Sequence, residues 1–360
     1  MKYHIIAFGC QMNISDSERV STILEKLKYK KTSNINEANL VVVVMCSVRQ
    51  SAVDRVYGLA HKFKKLNPKI KTILTGCVLK KDKKNFAGSF DYIIDIKDIK
   101  NLSEILKISP AHPVQKLRDS VIFAPSSYLD ITPKYSNKFS ATVPIMTGCN
   151  NFCSYCVVPY TRGKEISRPT KEIICEIKNL VKNGYKEIWL LGQNVNSYKS
   201  GKINFPKLLK MVNNIPGDFK LCFITSHPKD FSDELIKTMK NCKKLSKRLN
   251  LPIQSGDDEI LKKMNRPYTV AQYKALVKKI RKTIPDISLS TDIIVGFPGE
   301  TKKQFQNTVK TLKEIGFDMA FVNKYSPRTG TAALKMEDNV SWAEKKHREQ
   351  MLIKLINEPR

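Results

Sequence analysis

Apolar residues along this chain follow two alternating rhythms. Short apolar runs read as strands at Tyr3–Phe8, Leu40–Met45, Ile70–Thr75 and Tyr92–Asp95. Between them, helical spacing marks Ser15–Tyr29, Gln50–Leu66 and Asn101–Ile108. Strands alternating with helices predict βαβ units around a parallel sheet. The stretch Pro110–Pro133 holds four prolines and little periodicity, and reads as a linker with one strand at Val121–Phe123. A second series then begins, with strands near Thr142–Met146, Glu187–Leu191, Lys220–Ile224, Arg248–Pro252, Ser288–Val295 and Met319–Asn323. Helices fill the gaps, among them Lys171–Lys182, Asp230–Met239 and Lys302–Ile315, and a last one lies near Ser341–Asn357. Six βα repeats make an open sheet or a barrel that is not fully closed. The predicted class is α/β: an N-terminal parallel-sheet domain over 1–115, a linker over 116–138, and a partial (βα)6 barrel over 139–360.

No apolar run approaches the roughly 20 residues of a membrane span, and the N-terminus lacks the features of a signal peptide. A cytoplasmic protein that meets no membrane is expected. Lys plus Arg number 63 against 33 Asp plus Glu, a formal net charge of +30. That excess points to a polyanionic partner, nucleic acid first. In a reducing compartment, nine cysteines read as metal or redox chemistry rather than a disulfide framework.

Cys149, Cys153 and Cys156 form Cys-x-x-x-Cys-x-x-Cys just after the first strand of the second series. Thiolates suit zinc and iron–sulfur clusters. A structural zinc wants four ligands, and no fourth Cys or His is near in sequence. Three thiolates on a four-iron cluster leave one iron open to a ligand. Cys10, Cys46 and Cys77 each end a predicted strand. The carboxyl ends of parallel strands share one edge, so these three should converge into a second three-thiolate set. Cys175, Cys222 and Cys242 read as packing or surface residues, and His227 as a strand-end residue on the barrel rim.

Two such sets resemble the radical S-adenosylmethionine (SAM) methylthiotransferases, over about residues 3 to 350. Phe8-Gly9-Cys10-Gln11-Met12-Asn13, Cys46-Ser47-Val48-Arg49 and Val158-Pro159-Tyr160-Thr161-Arg162-Gly163-Lys164-Glu165 resemble the MiaB type, a tRNA-modifying branch of that family. So do Leu191-Gly192-Gln193-Asn194, Ser226-His227-Pro228, Pro252-Ile253-Gln254-Ser255-Gly256 and Val295-Gly296-Phe297-Pro298-Gly299-Glu300-Thr301. Met45, Val78-Leu79-Lys80 and Asn250 depart from the usual pattern. The small C-terminal β-barrel that members usually carry, the TRAM domain, is absent from these 360 residues, which puts the grip on tRNA in question.

The resemblance implies methylthiolation of carbon 2 of N6-isopentenyladenosine beside a tRNA anticodon, with two SAM and two 4Fe-4S clusters. Cys149, Cys153 and Cys156 would hold the SAM-binding cluster, and Cys10, Cys46 and Cys77 the auxiliary, sulfur-carrying one. Tyr155, Gly192, Gln193, Asn194, Ser226, Gln254, Asp292 and Gly296 would contact SAM; Arg162, Lys164 and Arg168 would meet tRNA phosphates. The implied partners are an anticodon stem-loop, a reducing electron donor and a sulfur source, and a monomer is expected. Two alternatives remain: threonylcarbamoyladenosine in tRNA as substrate, or a two-cluster electron-transfer or RNA-binding protein without radical chemistry.

Overall fold

The computed structural model describes residues 1–48, 50–66, 68–107 and 128–358, and of His61, Lys64 and Leu66 the backbone only. The strand expected at Val121–Phe123, and Arg49, lie outside the described residues. The chain forms two compact units: Met1–Lys138 with Tyr160–Arg162, and Phe139–Pro159 with Gly163–Arg360.

The first unit is built on β1 (Lys2–Ala7), β2 (Lys30–Lys31), β3 (Leu40–Cys46), β4 (Lys71–Cys77) and β5 (Tyr92–Ile93). They form one parallel sheet in the order β2-β1-β3-β4-β5. All seven residues of β3 are buried, as expected of a central strand covered on both faces. Leu40 and Val42 join a core with Val20 and Leu24 of α1 (Gln11–Lys26). Val41, Val43 and Met45 join the opposite core, with Val53, Val56 and Phe63 of α2 (Gln50–Leu66). Each such valine contributes about 1.5–3 kcal/mol of burial. Two shorter helices, α3 (Lys80–Asn85) and α4 (Leu102–Lys107), follow β4 and β5. Tyr128 and Leu129, from the stretch read as linker, are buried in the α1-side core.

Two elements depart from expectation. β2 carries only Lys30 and Lys31, so no apolar signal marked it. α1 begins four residues earlier than its apolar period indicates, with Cys10 as its N-cap.

In the second unit β6 (Ser140–Pro144), β7 (Glu187–Leu191) and β8 (Lys220–Ile224) pair in parallel. So do β9 (Arg248–Asn250), β10 (Ser288–Val295) and β11 (Met319–Lys324). A parallel bridge from Leu221 to Leu245, just ahead of β9, joins the two halves. The six strands therefore lie in sequence order, the arrangement of a partial (βα)6 barrel. Helices α5 (Thr170–Lys182), α6 (Phe205–Asn213), α7 (Asp233–Asn241), α8 (Asp258–Lys263), α9 (Val270–Thr283), α10 (Lys302–Ile315) and α11 (Trp342–Asn357) follow the strands.

Boundaries follow local chemistry. β9 stops at Asn250, short of the expected Pro252, because proline offers no N–H to the ladder. The sheet resumes at Gln254, whose N–H reaches Asp292 O at 2.9 Å and whose carbonyl accepts from Ile294. α7 starts at Asp233 because the Ser232 hydroxyl accepts from Leu235 N–H at 3.2 Å. Thr269/Gln272 and Thr301/Gln304 are capping boxes that fix the starts of α9 and α10. No helix among the described residues is long and apolar enough to cross a membrane.

Candidate metal centres

In the first unit, Cys46 and Cys77 are the last residues of β3 and β4 and face each other in register. Cys10 follows β1, at the crevice where the strand order reverses, the usual ligand position in such sheets. Gly9 makes that approach feasible: its φ is +119°, and a Cβ there would lie 2.3 Å from Cys46 Cβ.

Asn13, on the first turn of α1, lies between the sulfurs. Its Nδ2 donates to Phe8 O at 2.9 Å, and its Oδ1 stands 3.8 Å from both Cys10 Sγ and Cys77 Sγ. Arg162, a member of this unit, is 2% exposed. Its Nε donates to Cys77 Sγ at 3.0 Å, its Nη1 to Tyr128 OH at 3.0 Å, and its Nη2 to Asn13 Oδ1 at 3.2 Å. Nη2 also pairs with Asp16 Oδ2 at 2.7 Å, while Tyr128 OH donates to Asp16 Oδ1.

These contacts split the thiols. Cys10 is lowered to about 6, first by a hydrogen bond from Cys46, then by Arg162 and the backbone N–H groups of Asn13 and Met12, against burial. Cys46 is pushed far up by the same bond and by burial. Burial raises Cys77 to about 11 against the pull of Arg162. Three adjacent thiols cannot all ionise without added positive charge, which a metal supplies.

In the second unit Cys149, Cys153 and Cys156 sit on the loop after β6. Gly148 has φ +78°, and a Cβ there would lie 2.1 Å from Lys164 O. Ser154 N–H donates to Met264 O at 3.0 Å, its hydroxyl to Lys263 O at 2.8 Å, and its carbonyl accepts from Ala333 N–H. Asn265 Nδ2 donates to Phe152 O at 3.0 Å. The loop is thus tied to the segment after α8. Burial raises Cys149, and raises Cys156 to about 12. Arg266, buried beneath, directs Nη1 at Cys153 Sγ at 3.5 Å. Gly148→Ala is expected to cost about 2–4 kcal/mol, adding left-handed strain to steric overlap. A thermal melt should show a midpoint lower by roughly 5–15 °C.

Among the described residues, no set of three His, Cys, Asp or Glu side chains closes around a single ion. Soft donors in two sets of three fit iron–sulfur groups better than a four-ligand structural zinc.

The barrel rim carries a second signature. Gln193 Oε1, Asn194 Oδ1 and Asn196 Oδ1 after β7, and Ser226 Oγ and His227 Nε2 after β8, are buried without hydrogen-bond partners among the described residues. Thr147 Oγ1, two residues ahead of Cys149, is another. Native interiors rarely leave such groups unmet, so these atoms are available to a polar ligand. The His227 Nδ1 accepts from Lys229 N–H at 3.3 Å. Burial, with Arg266 and Lys229, lowers His227 to about 2, so the ring is neutral and presents Nε2–H as a donor.

The other expected SAM contacts are placed as follows. Gly192 packs under Met146, where a Cβ would come within 2.6 Å of its side chain. Gln254 has φ +72° and bridges to β10. Asp292 accepts from Asn250 Nδ2 at 3.1 Å. Tyr155 packs on the cluster of Ile260, Met264, Phe297 and Tyr325. Gly296 is covered by the stem of Lys345 from α11, so its bare Cα meets that side chain.

Two expected phosphate contacts are corrected. Arg162 is spent on Asp16 and Cys77, as above. Arg168 is buried, bonding Pro144 O at 2.8 Å and Glu176 at 2.7 Å. Buried guanidinium groups held by carboxylates offer nothing to solvent; Lys164 stays exposed. Sequence reading missed Asn13, Asp16 and Arg266. Asn13 alone carried a signal, one helical turn after Cys10.

The family described as "Radical SAM superfamily" matches residues 143–312, and "Uncharacterized protein family UPF0004" matches residues 2–95. A Clostridium novyi (strain NT) protein named tRNA-2-methylthio-N(6)-dimethylallyladenosine synthase is 43% identical over 374 residues, covering 99% of this chain and 81% of its own. The protein of that name from Thermoanaerobacter sp. (strain X514) is 42% identical over 369 residues, covering 99% and 78%. Among solved structures, the radical SAM methyltransferase TsrM from Kitasatospora setae, with tryptophan and a SAM analogue bound, superposes with TM-score 0.61 at 14% identity, covering 89% of this chain and 72% of its own. Apo OxsB, a cobalamin-dependent SAM radical enzyme, gives 0.63 at 11%, covering 99% and 55%. The structural likenesses bear on the fold, which is that of radical SAM enzymes. Identity above 40% across almost the whole chain bears on more: this chain belongs to the radical SAM methylthiotransferases, beside relatives named as tRNA-2-methylthio-N6-dimethylallyladenosine synthases.

Proposed function

We infer that the chain inserts a methylthio group at carbon 2 of N6-isopentenyladenosine beside a tRNA anticodon. The observation that carries this is the pair of three-thiol sets, each at the carboxyl edge of a parallel sheet. Two 4Fe-4S clusters and SAM, when bound, supply the one-electron chemistry and the sulfur that an unactivated ring carbon requires.

The chain's own residues do the rest. Cys149, Cys153 and Cys156 would hold the cluster that serves SAM. Cys10, Cys46 and Cys77 would hold the cluster that serves sulfur transfer. Gln193, Asn194 and Ser226 offer their unmet atoms to the polar groups of SAM; Gln254 and Asp292 line the next strands, with Gly192, Gly296 and Tyr155 shaping the wall. Lys164 contributes to phosphate contact, and the net charge of +30 favours RNA approach.

The substrate's branched apolar group also has a match. Register places Met319 beside Ser290 and Phe321 beside Asp292 on one face. The opposite face of β11 carries Lys324, which meets Glu349 and Trp342 of α11. Met319 and Phe321 are 52% and 48% exposed, an apolar ledge at the open edge of the barrel next to polar Asp292. Such a ledge suits an isopentenyl chain better than the charged threonylcarbamoyl group. A reducing electron donor and a sulfur source complete the scheme.

The test is anaerobic turnover of reconstituted protein with SAM, a strong reductant, and stem-loops bearing either modification. Methylthio product from the isopentenylated stem-loop alone is expected, with two SAM consumed per product. Product only from the threonylcarbamoyl stem-loop would replace the substrate. An absence of 5′-deoxyadenosine, with both clusters loaded, would sink the radical reading.

A further inference from the structure

Three buried arginines in this chain are matched to acids. Arg162 faces Asp16 at 2.7 Å, Arg168 faces Glu176 at 2.7 Å, and Arg348 faces Glu300 at 2.7 Å. Arg266 is held differently. It is 6% exposed, yet among the described residues no ion pair to a carboxylate reaches it. Its Nη2 donates to Pro252 O at 2.9 Å, and its Nε to Tyr268 OH at 2.8 Å, with the guanidinium 5.2 Å from that ring. The remaining arm, Nη1, points at Cys153 Sγ at 3.5 Å. Carbonyls and a phenol orient a cation without neutralising it, and burying an unpaired charge is strongly unfavourable. Among the groups it hydrogen-bonds in the described residues, the Cys153 sulfur is the one that carries negative charge when it binds a metal.

We propose that Arg266 is the built-in counter-charge of the SAM-binding cluster, donating a hydrogen bond to Cys153 Sγ that raises the cluster's reduction potential. The inference rests on the reading of Cys149, Cys153 and Cys156 as its ligands. Adding an electron to a thiolate-bound cluster adds negative charge. A fixed cation and an N–H aimed at a ligand sulfur favour that reduced state, and poor solvation strengthens both effects. Arg162 bonds Cys77 Sγ too, but Asp16 cancels its charge. The two sites are therefore poised differently by their own arginines. Arg266 is a positioning residue, acting through Cys153.

The experiment is a redox titration of the reconstituted full chain, followed by electron paramagnetic resonance. The reduced signal that shifts on adding SAM identifies the cluster to be read. In R266Q, with iron per chain unchanged, the reduced-to-oxidised ratio at fixed potential should fall at least about ten-fold, about 59 mV for a one-electron couple. R266K, which keeps the charge, should fall by much less. An R266Q midpoint equal to the native one overturns the proposal, and so does an R266K shift as large as that of R266Q. A measurement without substitution guards against misfolding. Native chain labelled with 15N-arginine should show a weak 15N coupling in the pulsed spectrum of the same signal, and its absence also overturns the proposal. Full iron in C153A would instead sink the underlying ligand reading, whatever Arg266 does.

Discussion

Alanine at Cys46 is expected to leave about four of eight irons per chain, and to uncouple the reaction. SAM cleavage should continue, because Cys149, Cys153 and Cys156 are untouched, and 5′-deoxyadenosine should accumulate near the native rate. The methylthiolated nucleoside should fall below detection. Alanine at Cys153 should also remove about four irons, but should abolish deoxyadenosine and product together. Iron analysis with nucleoside mass spectrometry reads both quantities in one sample. The contrast follows from placement: Cys46 ends β3 of one sheet, and Cys153 sits on the loop after β6 of another. Equal loss of deoxyadenosine in both variants would contradict the division of labour between the two thiol sets.

The largest effect on stability belongs to the buried network beside Cys77. Arg162→Met strands Asp16, which is fully buried and, among the described residues, then keeps the hydrogen bond from the Tyr128 hydroxyl but no cation. Removing one partner of a buried pair costs about 3–5 kcal/mol. The urea unfolding midpoint of the chain should fall accordingly. Adding Asp16→Asn to Arg162→Met should recover about half of the loss, since most of the penalty is the uncompensated charge. A double variant no better than the single one would mean that Arg162 acts through packing.

Much of this was legible in the sequence. The run Leu40–Cys46 can only be a central strand, because it is apolar at every position and flanked by helical periods. From there, a cysteine at the end of each of three strands implies convergence, since parallel strands share a carboxyl edge. The Cys-x-x-x-Cys-x-x-Cys spacing identified the second set without any fold at all. What stayed hidden was set by distant contacts. Arg162 follows the cysteine loop like a solvent-facing cation, and only the fold carries it to Asp16, 146 positions away. Arg266 has no periodicity to mark it, and its role comes from a sulfur 113 positions back. Cys10 as an N-cap was missed because the apolar period of α1 starts a turn later than its hydrogen bonds.

The register of Cys46 opposite Cys77 has a consequence for how such a chain can change in length. Side chains alternate along a strand, so one residue inserted within β3 or β4 would turn the sulfur to the opposite face. An insertion in the connections at the other edge, after α1 or α2, would leave both sulfurs where they are. Natural insertions and deletions should therefore collect at the amino edge of this sheet. The number of residues between the last helix turn and the next cysteine-bearing strand is free to drift, while each strand keeps its count.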